Sequence, residues 1–256
     1  MSQNGIKLNH LSIGYRVRRG QTKTVATDIC AEAKAGTLTC LMGRNGTGKS
    51  TLLRTIAGFD PILKGDILID GKSIAGLKPR DMATKVGVVL TDKPQTGMMT
   101  VREIVALGRT PHTGFWGTLS ANDQIIIDKA LELLSMSDMS TRKVEQLSDG
   151  ERQRTMIAKA LAQQTPVILL DEPTAFLDYP GKNEIMELLH NIAQTKNKAI
   201  IIASHDLDIV MRTADRMWLI DKGKLTEGTP ETMIEDGRIA RYCSMAIDTE
   251  TFSEEH

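Results

Sequence analysis

The sequence predicts an α/β fold: a mostly parallel sheet covered by helices on both faces. Three observations predict it. Short runs that are apolar throughout recur along the chain, the pattern of strands buried on both faces. Helical patterns lie between several of these runs, which is the alternation of a doubly covered parallel sheet. One run is followed at once by Gly43-Arg44-Asn45-Gly46-Thr47-Gly48-Lys49-Ser50, which fits G-x-x-x-x-G-K-[ST], the phosphate-binding P-loop, and then by a helical pattern.

In chain order the predicted strands are Ile6 to Ile13, Leu38 to Met42, Asp66 to Ile69, Val86 to Leu90, Val167 to Leu170, Ala199 to Ala203 and Arg216 to Ile220. Each is a short apolar run. Ser50 to Ala57, Asn183 to Gln194 and Leu207 to Thr213 are predicted helices between them. From about Asp92 to Gln164 the pattern changes. Val101 to Leu107, Asn122 to Leu134 and Gly150 to Leu161 read as helices, and no strand of comparable quality occurs there. That stretch is predicted to be a helical subdomain inserted into the sheet domain, with Gly114-Phe115-Trp116-Gly117 as a loop inside it. After Gly228 come a short helix, Pro230 to Glu235, and a polar end. The expected organisation is one domain, with a core of 1–91 and 165–229, a helical subdomain of about 92–164 and a tail of 230–256.

With 256 residues the chain has room for one large α/β domain or two small ones. Lysine plus arginine equals aspartate plus glutamate at 32 each. A net charge near zero argues against a nucleic-acid binder that depends on a strong overall positive field. Cys30, Cys40 and Cys243 are widely spaced and form no C-x-x-C pair and no metal-ligand pattern. Cys40, in an apolar strand, is expected to be a buried small hydrophobe. This cysteine usage suits a reducing compartment. Met1 to Gly5 lacks the basic and apolar regions of a signal peptide. No apolar run approaches the roughly 20 residues that span a bilayer. The expectation is a cytosolic protein able to sit on a membrane through a partner.

The chemistry begins at the P-loop. Backbone N–H groups of such a loop and the positive end of the following helix hold a phosphate. Lys49 adds a point charge, and Ser50 a hydroxyl for Mg²⁺. Val167 to Glu172 is an apolar strand ending in two carboxylates. Asp171 at that end is placed to hold Mg²⁺ through its water shell. Glu172 is placed to polarise an attacking water as general base. The plainer reading, a strand ending in solvated acids, yields to the company of the P-loop. His205, after Ala203-Ser204, would reach a γ-phosphate from the side. Ser148-Asp149-Gly150-Glu151 opens another helix. The free N–H groups there are available to a phosphate, but on local evidence alone the ordinary reading prevails, Ser148 as an N-cap with Glu151 as its capping-box partner.

Taken together, these segments resemble the ATP-binding-cassette (ABC) ATPases, in the family's motif order and over nearly all of the chain. Gly43 to Ser50, with Thr51 following, resembles Walker A, and Leu170-Asp171-Glu172 the end of Walker B. Leu147-Ser148-Asp149-Gly150-Glu151 resembles the LSGGQ signature, Ala175-Phe176-Leu177-Asp178 the D-loop, and His205 the switch histidine. Tyr15 falls where the family stacks an aromatic residue on adenine; the alternative is a strand aromatic in the core. The resemblance implies a RecA-like P-loop NTPase core with an N-terminal antiparallel β region. It implies Mg²⁺-dependent ATP hydrolysis with Lys49, Glu172 and His205 as catalytic residues. It also implies a head-to-tail homodimer in which Ser148, Asp149, Gly150 and Glu151 of one copy contact ATP held by Walker A of the other. The further partners implied are a membrane permease, with the chain peripheral on the cytoplasmic face, and indirectly an extracytoplasmic substrate-binding protein. Nucleic acid is not among them.

Two departures stand out. Asp149 and Glu151 replace Gly and Gln of the signature, and Asp149 is expected to point away from the γ-phosphate because its carboxylate would repel it. By register Thr91 stands where the family's Q-loop has Gln, and Gln95 would substitute only if the loop rearranged. Thr100 to His112, with Ser120 to Asp123 and the helix after it, resembles bacterial importer ATPases for iron–siderophore, haem and cobalamin. Other transporter ATPases and soluble ABC proteins are the alternatives. A P-loop kinase would lack the Ser148 to Glu151 segment and the His205 strand.

Overall fold

The computed structural model describes residues 5–17, 21–90, 97–114 and 116–250. Its strands are β1 (Gly5–Arg16), β2 (Thr22–Lys34), β3 (Leu38–Met42), β4 (Lys64–Ile69), β5 (Lys72–Ser73), β6 (Val86–Val89), β7 (Val167–Asp171), β8 (Ala199–Ala203), β9 (Arg216–Asp221) and β10 (Lys224–Gly228). Its α-helices are α1 (Lys49–Ile56), α2 (Pro79–Met82), α3 (Val101–Leu107), α4 (Ala121–Leu133), α5 (Asp149–Ala162), α6 (Tyr179–Lys196), α7 (Leu207–Thr213), α8 (Pro230–Glu235) and α9 (Arg238–Glu250).

The strands form two sheets. One is antiparallel in the order β2-β1-β4-β5; the other has six strands in the order β10-β9-β3-β8-β7-β6, parallel except for β10. The predicted parallel sheet and N-terminal antiparallel region are both present. The central strands are buried on both faces, so alternate residues serve different cores. Leu38, Cys40 and Met42 of β3 join Ile200 and Ile202 of β8 in a cluster that also takes in α3, α4, α5 and α6. Leu41, Ile201 and Ala203 join Leu52, Ile56 and the inner residues of β1 and β2 in the other cluster. This two-sided burial is why those strands read as unbroken apolar runs. Cys40 is fully buried, and burial pushes its thiol pKa up to about 12, which fits the expected inert role.

Three helices, α3, α4 and α5, pack on one another between β6 and β7. Thr100, Ser120 and Ser148 cap them with complete capping boxes to Glu103, Asp123 and Glu151. Arg109 ties the group together from a buried position: its guanidinium donates to Asp123 at 2.8 Å, to the Ala162 carbonyl at 2.7 Å and to Gln164 at 3.1 Å.

Some elements differ from expectation. β2 and β10 were not predicted as strands, and α6 begins at Tyr179 rather than Asn183 because Asp178 caps it and Pro180 occupies its first turn. The tail after Glu235 is not merely polar: α9 lays Ile239 and Tyr242 against the core. Gly114 and Gly117 lie outside any helix or strand, with Trp116 in a turn between them, while Phe115 is outside the described residues. Among the described residues no helix is long and apolar enough to cross a membrane.

Candidate active site

The C-terminal ends of β3, β8 and β7 lie side by side because parallel pairing puts all carboxyl ends at one edge. Leu41 of β3 pairs with Ala203 of β8, and Ala203 with Asp171 of β7. Two backbone bonds past the strand ends continue this alignment: Ser204 donates to the Leu41 carbonyl at 3.1 Å, and Glu172 to the Ala203 carbonyl at 3.1 Å. The P-loop, the Asp171-Glu172 pair and His205 therefore emerge from neighbouring positions, although 122 residues separate Lys49 from Asp171.

An open cleft of about 870 Å³ occupies that edge, lined by Arg44 to Thr51 with Glu172, Tyr15, Lys23 and Lys222. Gly48, at the helix N-cap, has a left-handed φ of 109°, and a Cβ there would stand 2.3 Å from Val25 Cγ1. Only glycine meets both conditions without displacing β2. Among the described residues no side chain caps α1, and no acid stands in its first turn, which leaves that helix end suited to an anion. Thr47 braces the loop by donating its hydroxyl to the Arg44 carbonyl at 2.8 Å. Lys49 is buried and donates to the Gly43 carbonyl at 2.8 Å and the Arg44 carbonyl at 3.3 Å. Burial lowers the Lys49 pKa, and the charges of Glu172 and Asp171 oppose that shift.

Glu172 has the left-handed backbone, with φ 48°, that is uncommon for a residue with a side chain. Its N–H is held by Ala203, and its carbonyl accepts from Ala175 at 3.2 Å. Glu172 Oε1 lies 3.7 Å from His205 Nδ1, and the two side chains are 27% and 52% exposed. A carboxylate on the cleft wall and a histidine beside it, both reachable by solvent, thus stand together. His205 is followed by Asp206, which Lys182 of α6 binds through both carboxylate oxygens at 3.1 and 3.0 Å. This pair anchors the turn that carries His205. Ser50 and Asp171 offer hard oxygen donors on the same edge, the donor set that suits Mg²⁺.

Tyr15 is a cleft residue rather than a core aromatic: it is 37% exposed. The β1–β2 register sets it opposite Lys23, whose ammonium lies 6.0 Å from the ring centroid. Sequence reasoning missed Lys23, Thr24 and Val25, as well as Asp221, Lys222 and Gly223, all of which line the cleft. They arrive on β2 and on the β9–β10 turn, where only pairing partners, not local spacing, signal a site.

Ser148, Asp149, Gly150 and Glu151 do not line this cleft within one chain. Ser148 accepts from the Glu151 N–H at 3.3 Å while the Glu151 carboxylate accepts from the Ser148 N–H at 2.8 Å, so the N-cap reading is correct as far as it goes. These bonds hold the Glu151 carboxyl below the usual range. Asp149 turns along its own helix and accepts from Arg152 at 3.2 Å. Asp178 caps α6 by accepting from the Gly181 N–H at 3.1 Å. Thr91 and Gln95 lie outside the described residues.

Residues 26–175 match the family model described as "ABC transporter". An uncharacterised ABC transporter ATP-binding protein of Methanocaldococcus jannaschii is 40% identical over 231 residues, 90% of this chain and 78% of that one. The iron(3+)-hydroxamate import ATP-binding protein of Bacillus subtilis is 35% identical over 235 residues, 91% of this chain and 86% of that one. The dimeric structure of a bacterial ABC transporter cassette superposes with a TM-score of 0.73 at 26% identity, covering 88% of this chain and 98% of that one.

Proposed function

The chain belongs to the ABC transporter family as one of its ATP-binding ATPase subunits, and from that premise we propose that it powers import of an iron–siderophore, haem or cobalamin type of substrate through a membrane permease. The observation that carries the hydrolytic part is the cleft, where the glycine loop and buried Lys49 face Glu172, with His205 standing 3.7 Å from that carboxylate.

In this reading Tyr15 packs on the adenine. Arg44 to Thr51 and the N–H groups of α1 hold the phosphates, with Lys49 countering their charge. Ser50 and Asp171 would hold Mg²⁺, which supplies charge neutralisation at the phosphates when bound. Glu172 accepts the proton of the attacking water, and His205 stands beside it to contact the γ-phosphate. The site is complete only when a second copy, docked head to tail, brings Ser148 to Glu151 against the first copy's nucleotide, with Asp178 near the junction. A signature outside its own chain's cleft supports that arrangement, as does the dimeric relative. Asp149, turned to Arg152, keeps its carboxylate off the phosphates.

The chain would then sit peripherally on the cytoplasmic face. The core of 1–91 and 165–229 would carry the nucleotide, and the subdomain of about 92–164 would carry the signature. Thr91 would stand at the coupling position, and cargo would be chosen by the permease and a substrate-binding protein outside the membrane. The cargo class rests on the hydroxamate-import relative and on the Thr100 to His112 block. Purification from detergent-solubilised membranes tests the reading. Recovery with a polytopic permease is expected, and recovery solely as a soluble complex without one would reject it.

A further inference from the structure

The β1–β2 hairpin pairs regularly up to Leu8↔Ala31, then slips three times, between Leu8 and Leu11, between Leu11 and Ile13 and between Ile13 and Gly14. His10 lies in the first irregularity and Asp28 lies opposite the second. Both have left-handed backbones, with φ of 47° and 56°, which turn their side chains toward a common point. His10 Nδ1 is 2.7 Å from Asp28 Oδ1 and 3.7 Å from Cys30 Sγ. The three donor atoms all fall within 4.8 Å of one another, and all three residues are exposed. None of them lines the nucleotide cleft.

We propose that His10, Asp28 and Cys30 form a surface site for a divalent transition-metal ion of the Zn²⁺ class. Three electron-pair donors converge there. A proton between His10 and Asp28 satisfies only those two, whereas a metal ion engages the sulfur with them. Tetrahedral Zn²⁺ with Zn–N and Zn–O near 2.05 Å and Zn–S near 2.3 Å sets ligand separations of about 3.6 Å for N···S and about 3.3 Å for N···O. The 3.7 Å separation of His10 and Cys30 already meets the first value. The His10–Asp28 pair must open by about 0.6 Å, a small rotation for side chains that are 76% and 78% exposed. The His10 backbone N–H lies 3.4 Å from Cys30 Sγ. Such a bond fixes the direction of the sulfur, the supporting contact that metal-ligating groups ordinarily have. A nitrogen, a sulfur and one carboxylate form a borderline-soft set that favours Zn²⁺ over Mg²⁺ or Ca²⁺. Solvent exposure leaves the fourth position to water.

The test uses the full-length chain without nucleotide or Mg²⁺, titrated with Co²⁺ as an optical probe for the Zn²⁺ class. The expected result is one ion per chain with a near-ultraviolet sulfur-to-cobalt charge-transfer band that Zn²⁺ abolishes by displacement. Cys30→Ser should remove the band. His10→Gly and Asp28→Asn, which suit a left-handed backbone, should keep the hairpin and weaken binding about tenfold or more. Cys243→Ser should leave the band unchanged. The proposal is overturned if the wild-type chain gives no sulfur-to-cobalt band, or if the band survives in Cys30→Ser. Because the readout needs neither ATP nor a permease, its failure leaves the transport reading intact.

Discussion

Glu172→Gln separates the proposed proton-accepting role from every other role of the position. Gln keeps the volume and hydrogen-bonding reach, and it tolerates the φ of 48° about as well as Glu. The backbone bonds to Ala203 and from Ala175 are untouched. What disappears is the anionic acceptor 3.7 Å from His205. A positioned general base contributes about 10²- to 10⁴-fold, equivalent to about 2.7–5.4 kcal/mol of barrier. One of the two carboxylates that oppose the lowering of the Lys49 pKa is also lost, so that pKa should fall further. The assay is single-turnover phosphate release with enzyme in excess, run beside equilibrium ATP binding and sedimentation. Hydrolysis should drop by about 10²- to 10⁴-fold, while ATP binding persists and an ATP-bound dimer accumulates. Release within about threefold of wild type would refute Glu172 as base.

Lys49→Ala should weaken phosphate binding and cut turnover by about 100-fold or more, read by nucleotide titration and steady-state ATPase rate. Ser148→Ala removes a capping box and should cost about 1 kcal/mol, seen as a melting shift of about 2–4 °C. If the signature acts in trans, this variant should also impair ATP-driven dimerisation. Asp123, bonded by Ser120 and Arg109, has a carboxyl pKa depressed to about 2. Its contribution is therefore present above the unfolded value near 3.9 and is lost as pH falls toward about 2. Urea midpoints measured across that window should fall for the wild-type chain and vary less for Asp123→Asn.

Elements with strong local signals were legible in the sequence to the residue. β3, β8, α3, α7 and α8 begin and end where their apolar runs, caps and prolines place them. β2 escaped notice because its buried positions are mostly alanine and three irregularities break its alternation. α9 escaped because its apolar residues are set among polar ones; Ile239 and Tyr242 find their partners only where the fold returns them to the core. Around the cleft, the glycine loop, the paired carboxylates and His205 each announced themselves by residue type at a strand end.

The sequence by itself determined which chemistry is available: the glycine loop with its lysine, the acid pair, the histidine and the signature that marks the family. Tertiary structure decided which groups share a site. Parallel pairing of β3, β8 and β7 put Glu172 beside His205, and β1–β2 pairing put Lys23 opposite Tyr15. Spacing found no metal pattern among the cysteines, yet two slips in that hairpin gather His10, Asp28 and Cys30. The physical reason is that register and bulges are settled by non-local hydrogen bonds and core packing. Residue type and periodicity report which face of a strand is buried, and carry little about which distant residue stands opposite.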